Sequence, residues 1–351
     1  MNFTDFPTPD FDCFDNLDDI DIYQDKNGKG SDKISFSAYS HSSSFLTEAD
    51  LPILYEQGSI ILDQSIPIKS GSNSNVYVGK SSTDGTKYAL KVTNYIKRGR
   101  CEYEKRNLIN SQCPYLLKAI SFYELPATRK VVLQTEFCEN GDIRNLMGSM
   151  IFWPEEIIWK LIHDISHALL ELHRENWMHL DVSPTNILIS NNCFKLSDFG
   201  TITKVGEFEV GKEGSGPYVS LEALNYPHSR IVNQQTDIFS LGVVLLEVAS
   251  GKAAPRGGTP GYSPLRHDKL KLNFKKASTS SEKIQSLNGQ QINFLVSKVN
   301  EQYNLEENVP KYECWCSPAL VDLINRMLSS VPSQRPTSYE ICQMPQVSQF
   351  D

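Results

Sequence analysis

The chain lacks the marks of several function classes. Its eight cysteines (13, 101, 113, 138, 193, 314, 316 and 342) include no CxxC pair and no Cys/His grouping at zinc spacing, which argues against a zinc module and a disulfide framework. Reduced thiols in an intracellular compartment, nuclear or cytoplasmic, are the expectation. Cys314 and Cys316 are one residue apart, a gap that suits neither chelation nor an easy disulfide, so they read as packing or surface thiols. No basic-then-apolar leader opens the chain, because its first twenty residues are acidic and rich in Phe and Asp. No apolar run reaches the ~18 residues that a spanning helix needs, so neither secretion nor a membrane span is expected. A basic excess is missing as well. Residues 1–60 hold twelve Asp/Glu against three Lys/Arg, a balance of 3 − 12 = −9, and the formal net charge of −8 leaves −8 + 9 = +1 for the rest. A near-neutral body gives no electrostatic reason to expect a nucleic-acid partner.

What is present supports a large folded body behind a polar tail. With 351 residues and 40% hydrophobic content, the chain can bury a core and divide into two lobes. Residues 1–57 mix acidic residues with a Ser-rich patch and show no helical or strand period, so a disordered tail is expected. Thr8-Pro9 is a minimal proline-directed phosphorylation site there, with an unmodified solubilising tail weighed equally. From Ile60 the segments ILDQSIPIKS, NVYVGKS, KYALKVT and VVLQTEF read as β-branched-rich strands, with Thr83-Asp84-Gly85 as the clearest hairpin signal. One helix, CEYEKRNLINSQ, interrupts them and ends at Cys113-Pro114. The result is a small antiparallel sheet over 58–138.

Beyond Gly141 the texture turns helical. In PEEIIWKLIHDISHALLELHREN, Pro154 suits the first turn and Glu155 and Glu156 complement the dipole. Ile157, Leu161, Ile165, Leu169 and Leu172 form its buried stripe. TDIFSLGVVLLEVASG is nearly all apolar and ends at Gly251, as a central helix would. A Gly/Pro/Lys/Ser-rich insertion over about 252–313 precedes the last helical stretch, SPALVDLINRML. The class is α+β, with a β-rich first lobe and a larger, mainly helical second lobe over 139–348.

The most informative stretch is MHLDVSPTNILISNNCFKLSDFG, residues 178–200. Two apolar runs of strand length joined by an Asn-Asn turn place Asp181 and Asn186 before a hairpin and Asp198 just after it. An Asp that can take a proton thus converges with two oxygen ligands suited to a hard cation. This spacing resembles the catalytic loop and metal-binding triplet of the protein kinase fold. The resemblance, carried by several motifs in order from about Ile60 to Val347, implies a bilobal fold, ATP and Mg2+ as cofactors, and a protein substrate. It makes Asp181 the base, and Asn186 and Asp198 the magnesium ligands. Lys91 in YALKV resembles the nucleotide-anchoring lysine, with Ala89 over the adenine and Glu104 as its helix partner, Glu102 being the lesser choice. IKSGSNSNVYVGK resembles the glycine-rich turn that covers ATP: Gly71 is its middle glycine, Lys69 and Ser74 replace the other two, and Val76 sits above the base. QTEFCENGD resembles the hinge. There Thr135 stands at the pocket entrance, Glu136 and Cys138 offer backbone bonds to adenine, and Asp142 either approaches the ribose or caps a helix. By the same resemblance Glu222 pairs with Arg335 and Asp237 braces the catalytic loop.

HLDV, KLSDFG, KEGSGPY, DIFSLGVVLLEVA and QTEFC together look like the Wee family of cell-cycle inhibitory kinases. The implied target is a tyrosine, or also a threonine, in the glycine loop of a cyclin-dependent kinase. Two residues depart from the common kinase pattern. Leu180 stands where an arginine normally neutralises an activation-loop phosphate, so activity without such phosphorylation is expected and substitution of Ser215 or Tyr218 should leave turnover near wild type. Ser183 replaces a lysine that contacts the transferring phosphate and that the Wee family generally retains. A loss on the order of 10²- to 10³-fold follows unless metal and Lys91 compensate. A divergent Ser/Thr kinase with other substrates and a pseudokinase scaffold are the competing readings.

Overall fold

The computed structural model describes residues 45–71, 74–94, 111–149, 153–190, 192–211, 213–214, 216–228, 232–254, 266, 272–274, 313–314 and 316–350. Six strands form the first lobe: β1 (Ile60–Leu62), β2 (Lys69–Ser70), β3 (Ser74–Ser81), β4 (Lys87–Asn94), β5 (Ala119–Leu125) and β6 (Lys130–Glu136). They pair antiparallel in the order β1-β3-β4-β6-β5, with β2 also on β3. The β3–β4 turn follows its Thr-Asp-Gly sequence: Asp84 Oδ1 accepts from the Thr86 amide at 2.9 Å and Gly85 takes φ +73°. Strand alternation then sorts the side chains. Tyr77, Leu90, Val92 and Val132 lie on one face and build a core with Leu54, Ile60, Tyr123 and Leu125. Cross-strand register puts Val76, Lys91 and Leu133 in one row and Val78, Ala89 and Thr135 in the next, all on the opposite face, toward the cleft.

The tail ends earlier than composition suggests. Helix α1 (Leu51–Gly58) covers the outer face of the sheet, with Leu54 buried in its core. Buried Asp50 anchors it. Its carboxylate pairs with Lys130 Nζ at 2.8 Å and accepts from the Thr47 amide at 2.8 Å and the Thr128 hydroxyl. Burial alone would raise its pKa, but these donors hold it below the ordinary value. The first lobe therefore begins by residue 45 rather than 58, because Leu54, with Leu46 and Ile53 packed against the same core, and a fully partnered carboxylate offset the ordering cost of the segment. Residues 1–44, with Thr8, lie outside the described residues.

The second lobe contains α2 (Ile143–Ser149), α3 (Glu155–Arg174), β7 (Trp177–Met178), β8 (Ile187–Ser190), β9 (Cys193–Leu196), β10 (Thr203–Lys204), α4 (Leu221–Leu224), α5 (Gln235–Ser250), β11 (Asn273–Phe274), β12 (Glu313–Cys314), α6 (Pro318–Met327), α7 (Ser338–Cys342) and α8 (Pro345–Ser348). The predicted α3 stripe is buried, and α5 is buried from Thr236 to Ser250 and stops at Gly251, φ +65°. Cys314 and Cys316 are core thiols. Parallel pairing of β11 with β12 ties the two ends of the insertion together. Arg266, also from the insertion, is buried and donates to the Val219 and Gly216 carbonyls at 2.6 Å each. The rest of 255–312 lies outside the described residues. Among the described residues no helix is long and apolar enough to cross a membrane.

Candidate active site

The loop between β7 and β8 is held from beneath by α5. Buried Asp237 accepts from the His179 amide at 2.8 Å through Oδ2 and from the Leu180 amide at 2.8 Å through Oδ1, and His173 Nε2 lies 2.9 Å from Oδ2. These bonds hold Leu180 in the left-handed region at φ +66°, a conformation that an L side chain avoids. The Leu180 side chain is buried with Met178, Phe208, Val219, Ala223 and Val232. An apolar plug thus joins the catalytic loop to the segment that follows Gly200.

Asp181 and Asn186 are brought together by a short 3-10 turn at Pro184–Asn186. Asn186 Nδ2 donates to the Asp181 carbonyl at 2.9 Å and to Asp181 Oδ2 at 2.8 Å, which leaves the Asn186 Oδ1 as the atom for a cation. The Asn186 carbonyl accepts from the Ser197 amide at 2.8 Å and hydroxyl at 2.9 Å, so the two arms of the β8–β9 hairpin position both metal candidates. His179 links the same parts. Its Nδ1 accepts from the Asp181 amide at 3.2 Å and its Nε2 donates to the Ser197 carbonyl at 3.1 Å, while its ring meets Phe199 edge-on.

Asp198 follows in a left-handed conformation, φ +62°, and one carboxylate oxygen binds Lys91 Nζ at 2.8 Å. Partial burial works to raise its pKa, but the Lys91 ammonium and the Gly200 amide hold it at about 2. It is therefore a carboxylate at neutral pH. A lysine from the first lobe and Asp181, Asn186 and Asp198 from the second thus meet across 90 residues or more of chain, from Lys91 to Asp181.

The remaining predicted residues divide. Val76 and Ala89 lie on the cleft face beside Lys91, and the Gly71 amide closes the turn on the Ser74 carbonyl at 2.8 Å. In the hinge, the Glu136 amide is taken by the Lys118 carbonyl at 3.0 Å, so of its two backbone groups only the carbonyl can serve adenine. Its carboxylate binds Lys195 Nζ at 2.9 Å and the Lys118 amide at 2.8 Å. The Cys138 carbonyl accepts from the Gly141 amide at 3.1 Å, and burial pushes its thiol up to about 12. Asp142 does cap a helix: Oδ1 accepts from the Asn145 amide at 3.1 Å, ahead of α2. Its other oxygen binds Lys69 Nζ at 3.2 Å. Glu104 and Glu102 lie outside the described residues.

The segment over the site is anchored at several points. A Cβ on Gly214 would fall onto the Leu180 carbonyl and within 2.7 Å of Asp181 Oδ1, so the absence of a side chain lets this stretch of chain lie directly on Asp181. Tyr218 is buried, donating to Glu247 Oε2 at 2.8 Å and accepting from Arg144. It serves the packing of the segment. Glu222 and Arg335 form a buried two-bond pair at 2.5 and 3.0 Å, and Arg335 holds the Glu222 carboxyl below its usual range against burial. Two participants were not legible as such in the sequence: Arg266, whose only signal is a basic residue in a polar insertion, and Lys69, which reads there as a missing glycine.

The protein kinase domain family matches residues 64–347. Similar proteins include a serine/threonine-protein kinase of Arabidopsis thaliana, 32% identical over 190 residues, 53% of this chain and 14% of that protein. A mitosis inhibitor protein kinase of Candida albicans is 35% identical over 133 residues, 36% of this chain and 11% of that protein. Another, of Schizosaccharomyces pombe, is 27% identical over 241 residues, 67% of this chain and 36% of that protein. The chain thus spans well under half the length of these relatives.

Proposed function

The chain belongs to the protein kinase domain family, and from that premise we propose that it transfers the γ-phosphoryl group of ATP to a hydroxyl of a cyclin-dependent kinase, that of a tyrosine or also of a threonine. The observation that carries an active enzyme over a scaffold is the assembly of two contacts: Lys91 to Asp198 at 2.8 Å and Asn186 to Asp181 at 2.8 Å. The donor set of an ionised Asp198 and the Asn186 amide oxygen fits magnesium, a hard cation that takes oxygen ligands. Bound there, the ion would supply charge neutralisation at the β- and γ-phosphates.

This chain's own residues do the rest. Lys91 orients Asp198 and faces the phosphates, and Asp181 accepts the proton of the attacking hydroxyl. As the new O–P bond forms, the bond from the γ-phosphorus to the β-phosphate bridge breaks and ADP leaves. The cell-cycle target is supported by the similarity to two mitosis inhibitor kinases, and it would place the protein in the nucleus or cytoplasm. A different Ser/Thr target is the reading that the Arabidopsis relative favours. Leu180 supports a segment held by apolar packing in place of a phosphate-arginine contact.

The test incubates the purified, phosphatase-treated chain with Mg-ATP and a cyclin-dependent kinase and maps the modified residue. Transfer to the glycine-loop tyrosine, abolished by Asp181→Asn and indifferent to phosphatase, is the expected result. Modification elsewhere would redirect the substrate assignment, and no transfer to any protein would overturn the enzyme.

A further inference from the structure

Lys69 stands where the glycine-rich turn should have a glycine, and the structure gives it partners across the cleft. Its Nζ lies 3.2 Å from Asp142 Oδ2 and 2.9 Å from the Thr185 carbonyl, so a β2 side chain of the first lobe clasps the catalytic loop and the start of α2 in the second. Register explains why it points there. Lys69 pairs with Val76, and Val76 pairs with Lys91, so the three share one cross-strand row and one face of the sheet. Two lysines therefore stand two strand spacings apart, about 10 Å, above the same cleft.

The loop below lacks charge at the corresponding place. Ser183 is buried, and its hydroxyl meets the Thr185 hydroxyl at 3.0 Å. Lys69 already reaches the carbonyl of Thr185, two residues along the chain from Ser183. It is also half exposed, so moving its ammonium carries little desolvation cost. Its present acceptors are a carboxylate oxygen and a carbonyl, groups that the two O–H donors of a ribose diol can take over. An ammonium released from them would find the polyphosphate as the nearest strong anion.

Resting on the kinase reading above, we propose that Lys69 is a phosphate-contacting residue. On nucleotide binding it exchanges Asp142 and Thr185 for the phosphate chain and supplies there the cation that position 183 lacks. No other charge in the glycine-rich turn is needed for this role, and the turn's substitution of lysine for glycine becomes a compensation for Ser183.

The experiment measures Mg-ATP and adenosine affinities by calorimetry for the full chain and for Lys69→Met and Lys69→Arg, and then kcat for Lys69→Met with and without Ser183→Lys. Lys69→Met should weaken ATP by about 10- to 100-fold, the range of a lost charge-assisted bond, while adenosine binds as well or better because its ribose no longer displaces the lysine. Lys69→Arg should keep most of the ATP affinity, and Ser183→Lys should restore much of the lost kcat. Unchanged or tighter ATP binding in Lys69→Met would make the lysine a spectator or a lid and overturn the assignment. Equal weakening of ATP and adenosine would overturn it too, by showing a general effect on the pocket. A wild-type chain that binds ATP yet transfers no phosphate would remove the proposed function, while the binding comparison would still decide the role of Lys69.

Discussion

Asp237 offers the most direct test of how the fold sets up the base. It gives two carboxylate oxygens to the His179 and Leu180 amides at 2.8 Å each, in a buried site. Hydrogen bonds to a charged group contribute ~1.5–3 kcal/mol apiece, so the brace is worth ~3–6 kcal/mol. Against it stands the left-handed backbone of Leu180, φ +66°, which costs ~1–2 kcal/mol. The brace wins in the native protein. In Asp237→Ala the two amides lose their acceptor, ~1–3 kcal/mol each if they stay buried, and nothing then opposes the strain. The loop should relax and carry Asp181 away from its place beside Asn186.

Misplacement of a reacting group by ~1 Å costs on the order of 10²-fold in rate, and that is the fall in kcat expected for Asp237→Ala. Asp237→Asn keeps one acceptor and turns an NH2 toward the other amide, so it should lie between. Because Asp237 touches nothing at the nucleotide, ATP affinity should move far less than kcat. Steady-state kinetics with a peptide substrate, ATP calorimetry and amide exchange at His179 and Leu180 read the three quantities. If Asp237→Ala keeps kcat within threefold of wild type, with both amides as protected as before, the account of the brace is wrong.

Two further outcomes follow from buried ion pairs. Arg335→Met leaves the Glu222 carboxylate buried without its partner and should cost ~3–5 kcal/mol in urea unfolding at pH 7.5. Since the folded pKa of Glu222 is lowered, its contribution is present above the unfolded value of about 4.3 and is lost as pH falls through the lower folded value. In the variant burial instead raises that pKa, so its deficit should shrink between pH 7.5 and pH 4.5; a constant deficit would refute the pairing energy. Lys130→Met strands Asp50 and should release the segment from Leu46 to Gly58, read as proteolytic cleavage there at protease levels that leave the wild type whole. Retained protection would show that Leu54 packing alone suffices.

Much of the site was legible because it is local. The β8–β9 hairpin fixes Asp181, Asn186 and Asp198 within 18 residues, and strand alternation puts Lys91, Ala89 and Val76 on one face. The α3 stripe and the Gly251 stop were readable from period and cap alone. Helix α1 was not, since its short run LPILYEQG buries a single leucine and the partner of its anchor Asp50, Lys130, is 80 residues away. Lys69 escaped for a similar reason: a lysine in a turn is ordinarily solvated, and only the closure of the two lobes brings Asp142 and Thr185 under it.

The sequence by itself determined which side chains exist to do chemistry and which face of each strand or helix they share, because periodicity and turn chemistry act over a few residues. Tertiary structure alone decided their partners. Asp142 became both a helix cap and a cross-cleft acceptor, and Leu180 became a plug where a phosphate-reading charge usually stands. Tyr218 became a buried donor to Glu247. Those choices depend on what burial brings within ~3 Å, and a hydrogen bond or an ion pair has its strength only at that distance and in that local dielectric.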